Sequence, residues 1–327
     1  MLLNAPEAAF TKTVDYILIC GAGTIFVVAY NVLNGIFCGL GDSKTLLIFV
    51  GVACVVNILA DYTLIDIFKM GAEGAAIATI SAQAVSVILS GFIIKKKLPF
   101  EIGLENFKFN KRLALGIIKL GTPIALLRMS NEVSYLIIIG LVNKLGVVAS
   151  SGVGIAEKLV MFILLIPTAY MSAISAFVAQ NEGAGQKERS IKTLWIGMAT
   201  AAVIGGVISY FSFFHGDTMS LMFINDPEVI KASSMFLKAT SIECFVLSLA
   251  YCFDGYFNGI EKTAFVMIQG VGASLLVRIP YAYFASTRQN PSLFNIGMAS
   301  AWAAIAMLIV SWVYYIIYRN KKKNKIK

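Results

Sequence analysis

Charged side chains are scarce in this 327-residue chain: they make up 14% of it, whereas a soluble domain carries about 25%. Uncharged apolar stretches of roughly 20 residues, each long enough to cross a bilayer as a helix, recur along the whole length. This composition excludes a soluble globular protein and predicts an all-α polytopic membrane protein. About nine transmembrane helices are predicted, at 16–38, 46–65, 74–94, 117–143, 147–179, 191–214, 232–252, 264–285 and 295–318.

Residue types that build metal, redox and catalytic sites are also few. The single histidine, His215, falls in a loop between two apolar segments, and the five cysteines show no C-x-x-C spacing. No Ser/His or Cys/His arrangement and no H-E-x-x-H motif is present, so an intramembrane enzyme has the least support among the alternatives. We expect no cofactor and no metal, apart from a proton or sodium ion that would drive transport.

A glycine-rich turn at 39–45, GLGDSKT, resembles a phosphate-binding loop because it ends in Lys44-Thr45. Such a loop needs G-x-x-x-x-G-K-[ST] after a buried strand, and Asp42 would repel a phosphate. The turn also lies between two apolar segments. We therefore predict a short connection between spanning helices and no nucleotide site.

The net charge of +9 would suit a nucleic acid, but its distribution favours a membrane. Most lysines and arginines outside the apolar segments fall on one side if the first helix runs inwards, as the positive-inside rule requires. The basic tail RNKKKNKIK at 319–327 is then a cytoplasmic anchor for anionic lipid. We predict that Lys44, the stretch 95–112, Lys187 and the C-terminus are cytoplasmic. His215 and Arg288 would lie outside, and no nucleic-acid partner is expected.

Two short sequence motifs each occur twice, and the two copies of each motif are separated by nearly the same number of residues. Pro6-Glu7 is echoed by Pro227-Glu228, and Lys44-Thr45 by Lys262-Thr263. Coincident phrases indicate duplicated halves, which are common in transporters. Three apolar segments precede the second copy and none precedes the first, so we expect that three helices are missing from a twelve-helix protein. A true nine-helix protein is the alternative.

The repeat predicts two lobes. A partial N-lobe of three helices would occupy 1–97, a C-lobe of six helices 113–318, and the basic tail 319–327. The stretch 98–112, LPFEIGLENFKFNKR, is too charged to span a bilayer and alternates aromatic with charged residues. We predict that it is a linker lying on the cytoplasmic membrane surface.

The chain resembles the multidrug and toxic compound extrusion (MATE) transporters. The resemblance rests on GLGDSKT, on Asn57-x-x-x-Asp61, on MGAEGAAIAT at 70–79, and on QNEGAGQKER at 180–189 after Pro167. It implies a duplicated twelve-helix fold of two six-helix lobes with alternating access. It also implies export of small organic compounds, often cations, driven by proton or sodium entry. We expect a monomer in the plasma membrane.

Asn57 and Asp61 are a candidate coupling site, because residues four apart share one helix face and ionisable groups inside a bilayer are usually functional. Ala75 and Thr79 repeat the spacing on the next helix and offer a carbonyl or hydroxyl oxygen for a hard cation. The resemblance implies the same role, since one branch of the family has a cation site at these positions. Its first-helix aspartate would lie in the missing segment. Local capping or pairing of Asn57 and Asp61 is the alternative.

A possible second site lies in the C-lobe. Arg128 and Glu132 are also four residues apart, and Glu132 matches a glutamate of NorM-like relatives, although an internal ion pair would explain both residues equally well. Those relatives carry an aspartate where this chain has Leu247, and the nearest acid is Glu243. Arg278-Ile279-Pro280 is predicted to kink or end a helix. No role is assigned to Glu157.

A lipid-linked oligosaccharide flippase of the same superfamily is the competing function, because it would share the architecture. A large cavity lined by basic residues would favour a flippase, and an acidic cavity would favour a drug exporter. The sequence supplies mainly acids and amides at the candidate positions, which favours cationic cargo.

Overall fold

The computed structural model of the chain describes residues 7–97 and 110–324, and within these ranges it is helical with no β-strand. This confirms the predicted all-α fold. A π-helical turn, Tyr62–Ile67, continues α3, and another, Ala273–Arg278, joins α11 to α12. The α-helices are α1 (Glu7–Ala22), α2 (Thr24–Leu40), α3 (Ser43–Asp61), α4 (Gly71–Lys97), α5 (Lys111–Asn143), α6 (Val147–Ile163), α7 (Leu165–Gly183), α8 (Lys187–Phe214), α9 (Gly216–Leu221), α10 (Pro227–Gly259), α11 (Thr263–Gly272), α12 (Ile279–Ser286) and α13 (Leu293–Asn324).

The described residues contain eight helical segments that are long and apolar enough to cross a membrane, or nine if the bent pair α1–α2 is one span. This confirms the predicted number. The predicted segment 16–38 is not one continuous helix, however, because Val14–Ala22 and Thr24–Leu40 meet at 56°. A Cβ atom on Gly23, at the break, would lie 2.4 Å from the Cδ1 atom of Ile80. Only glycine lets the backbone approach α4 so closely at this position.

Two other predicted segments are also interrupted. The stretch 147–179 divides into α6 and α7 at Leu164, and 264–285 consists of α11, a π-helical turn and α12. Pro280 lies in the first turn of α12. Because proline has no N–H to donate, it suits a position where one helical segment ends and another begins. The sequence-predicted break at Arg278-Ile279-Pro280 therefore coincides with a change of helix type.

The chain divides into two compact units, Met1–Phe109 and Asn110–Lys327. The boundary falls inside the stretch 98–112, which the sequence predicts to be a linker. Residues 98–109 of that linker and 325–327 of the basic tail lie outside the described residues. The membrane-surface position of the linker and the anchoring role of the tail remain predictions.

The first unit has a small aromatic core at one end of its helices. Phe37 of α2 and Phe49 of α3 are each 1% exposed, and their ring centroids are 5.1 Å apart. Leu33, Leu46 and Ile93 pack around them. The Ser86 hydroxyl of α4 donates to the Phe49 carbonyl oxygen at 3.1 Å.

The turn GLGDSKT ends α2 and starts α3. Gly41 closes α2 with a φ of 76°, a left-handed conformation that suits glycine. Asp42 is the N-cap of α3, since its carboxylate accepts hydrogen bonds from the Thr45 N–H at 3.1 Å and the Thr45 hydroxyl at 2.6 Å. The acidic residue thus occupies the helix N-terminus where a phosphate-binding loop would hold its ligand.

The second unit is built around α10, which packs against α6, α7, α8, α9, α11 and α13. Asp226 caps the N-terminus of this helix, and Pro227 lies in its first turn. Gly255 and Gly259 let α10 approach α7 closely. A Cβ atom would lie 2.5 Å from the Met171 carbonyl oxygen at Gly255, and 2.8 Å from the Ser175 carbonyl oxygen at Gly259. Side chains on α10 are therefore enclosed by neighbouring helices on nearly every side.

Candidate functional site

The first candidate site lies on α3 and α4, which pack together in the first unit. Asn57 and Asp61 are both partly exposed on α3, and Asp61 is its last residue before the π-helical turn. The membrane span here is Lys44–Ile67. Asp61 therefore lies between the middle and the end of the span.

Thr79 and Ala75 contact each other within α4. The Thr79 hydroxyl donates to the Ala75 carbonyl oxygen at 2.9 Å, so its hydrogen is already used and its lone pairs remain available to a cation. Among the described residues of this unit, no hydrogen bond joins Asp61 to Asn57 or to Thr79. The four side chains lie on adjacent helices without forming a closed set, and their coupling role remains a prediction.

The sequence-predicted residues of the second unit do not form one group. Arg128 and Glu132 are both exposed on α5, and no ion pair joins them in the described part of the chain. Glu243 of α10 is 6% exposed, and its carboxylate forms an ion pair with Arg278, with an Nη2–Oε1 distance of 3.4 Å. The partner of Glu243 is thus an arginine from the π-helical turn.

Two further side chains complete this group. Glu157 of α6 is half-buried within electrostatic range of Glu243 and Arg278. The Tyr135 hydroxyl of α5 lies beside the Glu157 carboxyl group, where it can donate a hydrogen bond to it. We call Tyr135, Glu157, Glu243 and Arg278 the interior charge cluster. The sequence alone assigns no role to Glu157 and predicts only a kink or helix end at Arg278.

Local helix geometry explains how α5 and the π-helical turn meet at this cluster. One turn before Tyr135, Asn131 accepts a hydrogen bond from the Ser274 hydroxyl at 2.7 Å. Ser274 in turn precedes Arg278 by four residues. This bond holds the π-helical turn against α5 and directs Arg278 towards α10.

A separate buried polar chain joins three helices of the second unit. Gln269 of α11 donates to the Asp254 carboxylate of α10, and the Ser311 hydroxyl of α13 donates to the Gln269 side-chain oxygen at 2.8 Å. All three residues are buried, and Asp254 is only 1% exposed. The serine fixes the orientation of the amide, so its N–H groups face the acid. This arrangement ties the three helices together.

The described residues contain no group of three or more His, Cys, Asp or Glu side chains placed to hold a metal ion. All five cysteines are free thiols, and Cys244 and Cys252 are buried in α10. The chemistry offered by the described chain is therefore carboxylate, amide, hydroxyl and guanidinium groups between membrane-spanning helices. This set can bind protons, small cations and polar organic groups.

Solved structures share this fold. A MATE transporter in complex with MaL6 superposes with a TM-score of 0.91 over 98% of this chain and 73% of that one, at 17% identity. An outward-facing MATE family transporter of the MOP superfamily gives a TM-score of 0.90 at the same identity and 98% coverage. The fold is that of the MATE transporters, a class of polytopic helical membrane proteins.

Sequence comparison agrees. A model of the MatE family matches residues 123–284. The probable multidrug resistance protein YpnP of Bacillus subtilis (strain 168) is 29% identical over 325 residues, which are 96% of this chain and 70% of that protein. The probable multidrug resistance protein NorM of Thermotoga maritima is 24% identical over 94% of this chain and 65% of its own length. The chain is thus similar to MATE family proteins over most of its length, and it spans about two thirds of the length of these relatives.

Proposed function

We propose that this protein is an efflux transporter that exports small organic compounds in exchange for protons or sodium ions. The observation that carries the proposal is the match along 96% of the chain to a relative named as a probable multidrug resistance protein. The MATE fold over 98% of the chain supports the same function. These matches favour a transporter over an intramembrane enzyme.

We assign the coupling role to Asp61. It is the one acidic residue inside the span Lys44–Ile67 that has an amide one turn away on the same helix, at Asn57. A carboxylate inside a bilayer is costly unless it is paired or takes up a cation or proton, and Asp61 forms no ion pair in the described chain. The lone pairs of Thr79 and Ala75 on α4 would supply further oxygen ligands for sodium.

Organic cations are the proposed cargo. The candidate positions of the first unit carry acid, amide and hydroxyl groups, and the interior charge cluster of the second unit has two acids for one base. Both therefore favour positively charged partners. A relative named FAD transporter, from Shewanella oneidensis, is 23% identical over 87% of this chain and raises an anionic cargo as the competing possibility.

The distribution of basic residues gives the proposed orientation in the plasma membrane. The turn at Lys44, the start of α8 at Lys187 and the C-terminal tail carry the positive charge expected of cytoplasmic segments. His215 and Arg288 would face outwards, and the protein would act as a monomer in contact with lipid. Single cysteines at 187 and 288 in a cysteine-free background test this orientation. External labelling at 187 in intact cells would reverse it.

A transport assay in liposomes tests the function. The 327-residue chain would be reconstituted with a fluorescent cationic dye and an imposed proton or sodium gradient. We expect dye movement against its own gradient that stops when an ionophore collapses the driving gradient. Gradient-driven movement of FAD without movement of dye would change the cargo. Movement of anionic lipid alone would favour a flippase.

A further inference from the structure

A groove of about 300 Å³ lies between α8 and α10 in the second unit. Both helices belong to segments that are long and apolar enough to cross a membrane. Small residues where the helices meet, namely Gly206, Ser209 and Ser241, form the base of the groove. One turn further along, the helices touch, because a Cβ atom on Gly205 would lie 2.5 Å from the Ser248 Oγ atom. The groove is therefore closed at this end.

The polar groups in the base of the groove already have hydrogen-bond partners. The Ser209 hydroxyl donates to the Ser241 carbonyl oxygen at 2.7 Å, and the Ser241 hydroxyl donates to the Lys238 carbonyl oxygen at 2.7 Å. Neither hydroxyl has a hydrogen left to donate to a ligand. The walls include two aromatic side chains, Tyr210 and Phe245, which are 56% and 39% exposed. This lining suits an apolar chain better than a polar molecule.

Lys238 lies at the other end of the groove. It precedes Ser241 by three residues and Phe245 by seven, so all three lie on one face of α10. The contact between Ser209 and Ser241 places Lys238 level with the last turn of α8, which ends at Phe214. A helical side chain is directed towards the start of its helix, so the Lys238 ammonium group extends away from the groove. It extends towards the end of the α8 span, where lipid headgroups begin.

The positive charge of Lys238 has no protein partner. The side chain is half-buried, and it forms no ion pair within the described parts of the chain. Two acids near this end of the helices, Asp217 of α9 and Glu228 of α10, are exposed and do not pair with it. Lys231 is on the same face of α10 but is exposed and lies about 10 Å further from the groove. A half-buried cation at the end of an apolar groove fits a molecule with an apolar chain and an anionic group.

We propose that this groove binds one acyl chain of an anionic phospholipid and that Lys238 contacts the phosphate of the same lipid. The groove is lined by exposed side chains of two spanning segments, so it opens to the acyl chains of the bilayer. The lipid belongs to the leaflet at the Phe214 end of α8. It is a bound constituent that stays in place, and it is not a transported compound. This inference goes beyond the proposed function and does not depend on it.

Photocrosslinking in lipid nanodiscs tests the proposal. The purified chain would be placed in phosphatidylcholine nanodiscs that contain a small fraction of photoreactive lipid with a diazirine on one acyl chain. The photoreactive lipid is either phosphatidylglycerol or phosphatidylcholine, and mass spectrometry locates the labelled peptides. We expect labelling of the peptides that contain Gly206 and Ile242. It should be about fivefold stronger with phosphatidylglycerol, which is the preference that one lysine near a membrane surface provides.

Two pairs of variants separate the charge from the groove. Lys238→Gln should reduce the labelling ratio of the two lipids to about one, whereas Lys144→Gln, an exposed lysine at the end of α5, should leave it unchanged. Gly206→Leu should abolish labelling by both lipids, because leucine fills the groove and its nearest neighbour at Cβ is Phe245 at 3.7 Å. Gly154→Leu in α6, where nothing lies within 4 Å of a Cβ atom, should label like the wild type.

Three results would overturn the proposal. They are no labelling of the groove by either lipid, equal labelling by both lipids in the wild type, and a preference for phosphatidylglycerol that persists in Lys238→Gln. Equal labelling would mean that the groove accepts any acyl chain without recognising charge. Circular dichroism would show whether each variant is folded, and the two lysine variants decide the question if Gly206→Leu is not. Labelling requires no transport, so a failure of the dye assay would leave the lipid site standing.

Discussion

The two units handle polar side chains inside membrane-spanning helices in different ways. In the first unit, Asp61 and Asn57 of α3 are partly exposed, and no hydrogen bond joins them. In the second unit, Glu243 and Asp254 of α10 are buried, and each has a specific partner. Enclosure requires partners, because a buried charge without one is strongly destabilising. An exposed acid needs no such partner, because water can solvate it.

Replacing Asp61 should produce the largest functional effect. We expect Asp61→Asn to fold and insert normally but to lose gradient-driven export, since asparagine keeps the size and hydrogen bonding but cannot titrate. The liposome assay under an imposed gradient measures this. Asp66→Asn, an exposed acid in the π-helical turn of the same span, is the matched control and should retain export. Full export in Asp61→Asn with loss in Glu132→Gln would place coupling in the second unit.

Removing the guanidinium of Arg278 should produce the largest loss of stability. Arg278→Gln leaves Glu243 buried without a cation, which costs about 3–5 kcal/mol in the free energy of unfolding. The double change Arg278→Gln with Glu243→Gln removes both charges and should recover most of the loss. Unfolding in mixed detergent micelles measures both variants. A double variant as unstable as the single one would show that packing, and not charge, holds this position.

Replacing one glycine in each unit by alanine tests how tightly the helices of the two units pack. A Cβ atom on Gly255 would collide with the Met171 carbonyl oxygen, whereas nothing lies within 4 Å of a Cβ atom on Gly51 in α3. Gly255→Ala should therefore destabilise by about 1–3 kcal/mol through overpacking. Gly51→Ala should stabilise by about 0.5–1 kcal/mol, because alanine favours helix. Equal effects in thermal unfolding would contradict the contrast between the two units.

Replacing the helix caps should produce the smallest difference in stability between the two units. Asp42 caps α3 in the first unit and Asp226 caps α10 in the second, and both carboxylates accept backbone N–H groups. Replacement of either by alanine should cost about 1 kcal/mol. A much larger loss for Asp226→Ala would mean that the start of α10 also depends on tertiary packing. Thermal unfolding of both variants provides the measurement.

Sequence reasoning predicted the spanning helices well because apolar length alone specifies them. It missed the breaks at Gly23 and Leu164, since these depend on contacts with other helices. A Gly–Thr pair inside the segment 16–38 was the available signal for the first break.

The candidate sites show the limit of local spacing. The interval of four residues correctly placed Arg128 and Glu132 on one helix, but both side chains are exposed and do not pair. Arg278 instead meets Glu243, an acid distant in sequence, and that pairing depends on how α5, α10 and the π-helical turn pack. The charged residue within the apolar run of α6, Glu157, was the one signal that could have been followed.

The π-helical turn Ala273–Arg278 sets the register of the helical residues on either side of it. Each residue of an α-helix advances the chain by about 100° around the axis, whereas a π-helical turn takes up one additional residue. If this turn tightened to α-helix, the helical segment on one side of it would rotate about the helix axis by about that angle relative to the segment on the other side. Ser274 is held to α5 by its bond to Asn131, so the rotation would carry Arg278 away from Glu243. The contact between Arg278 and Glu243 therefore depends on the number of residues in this helical turn.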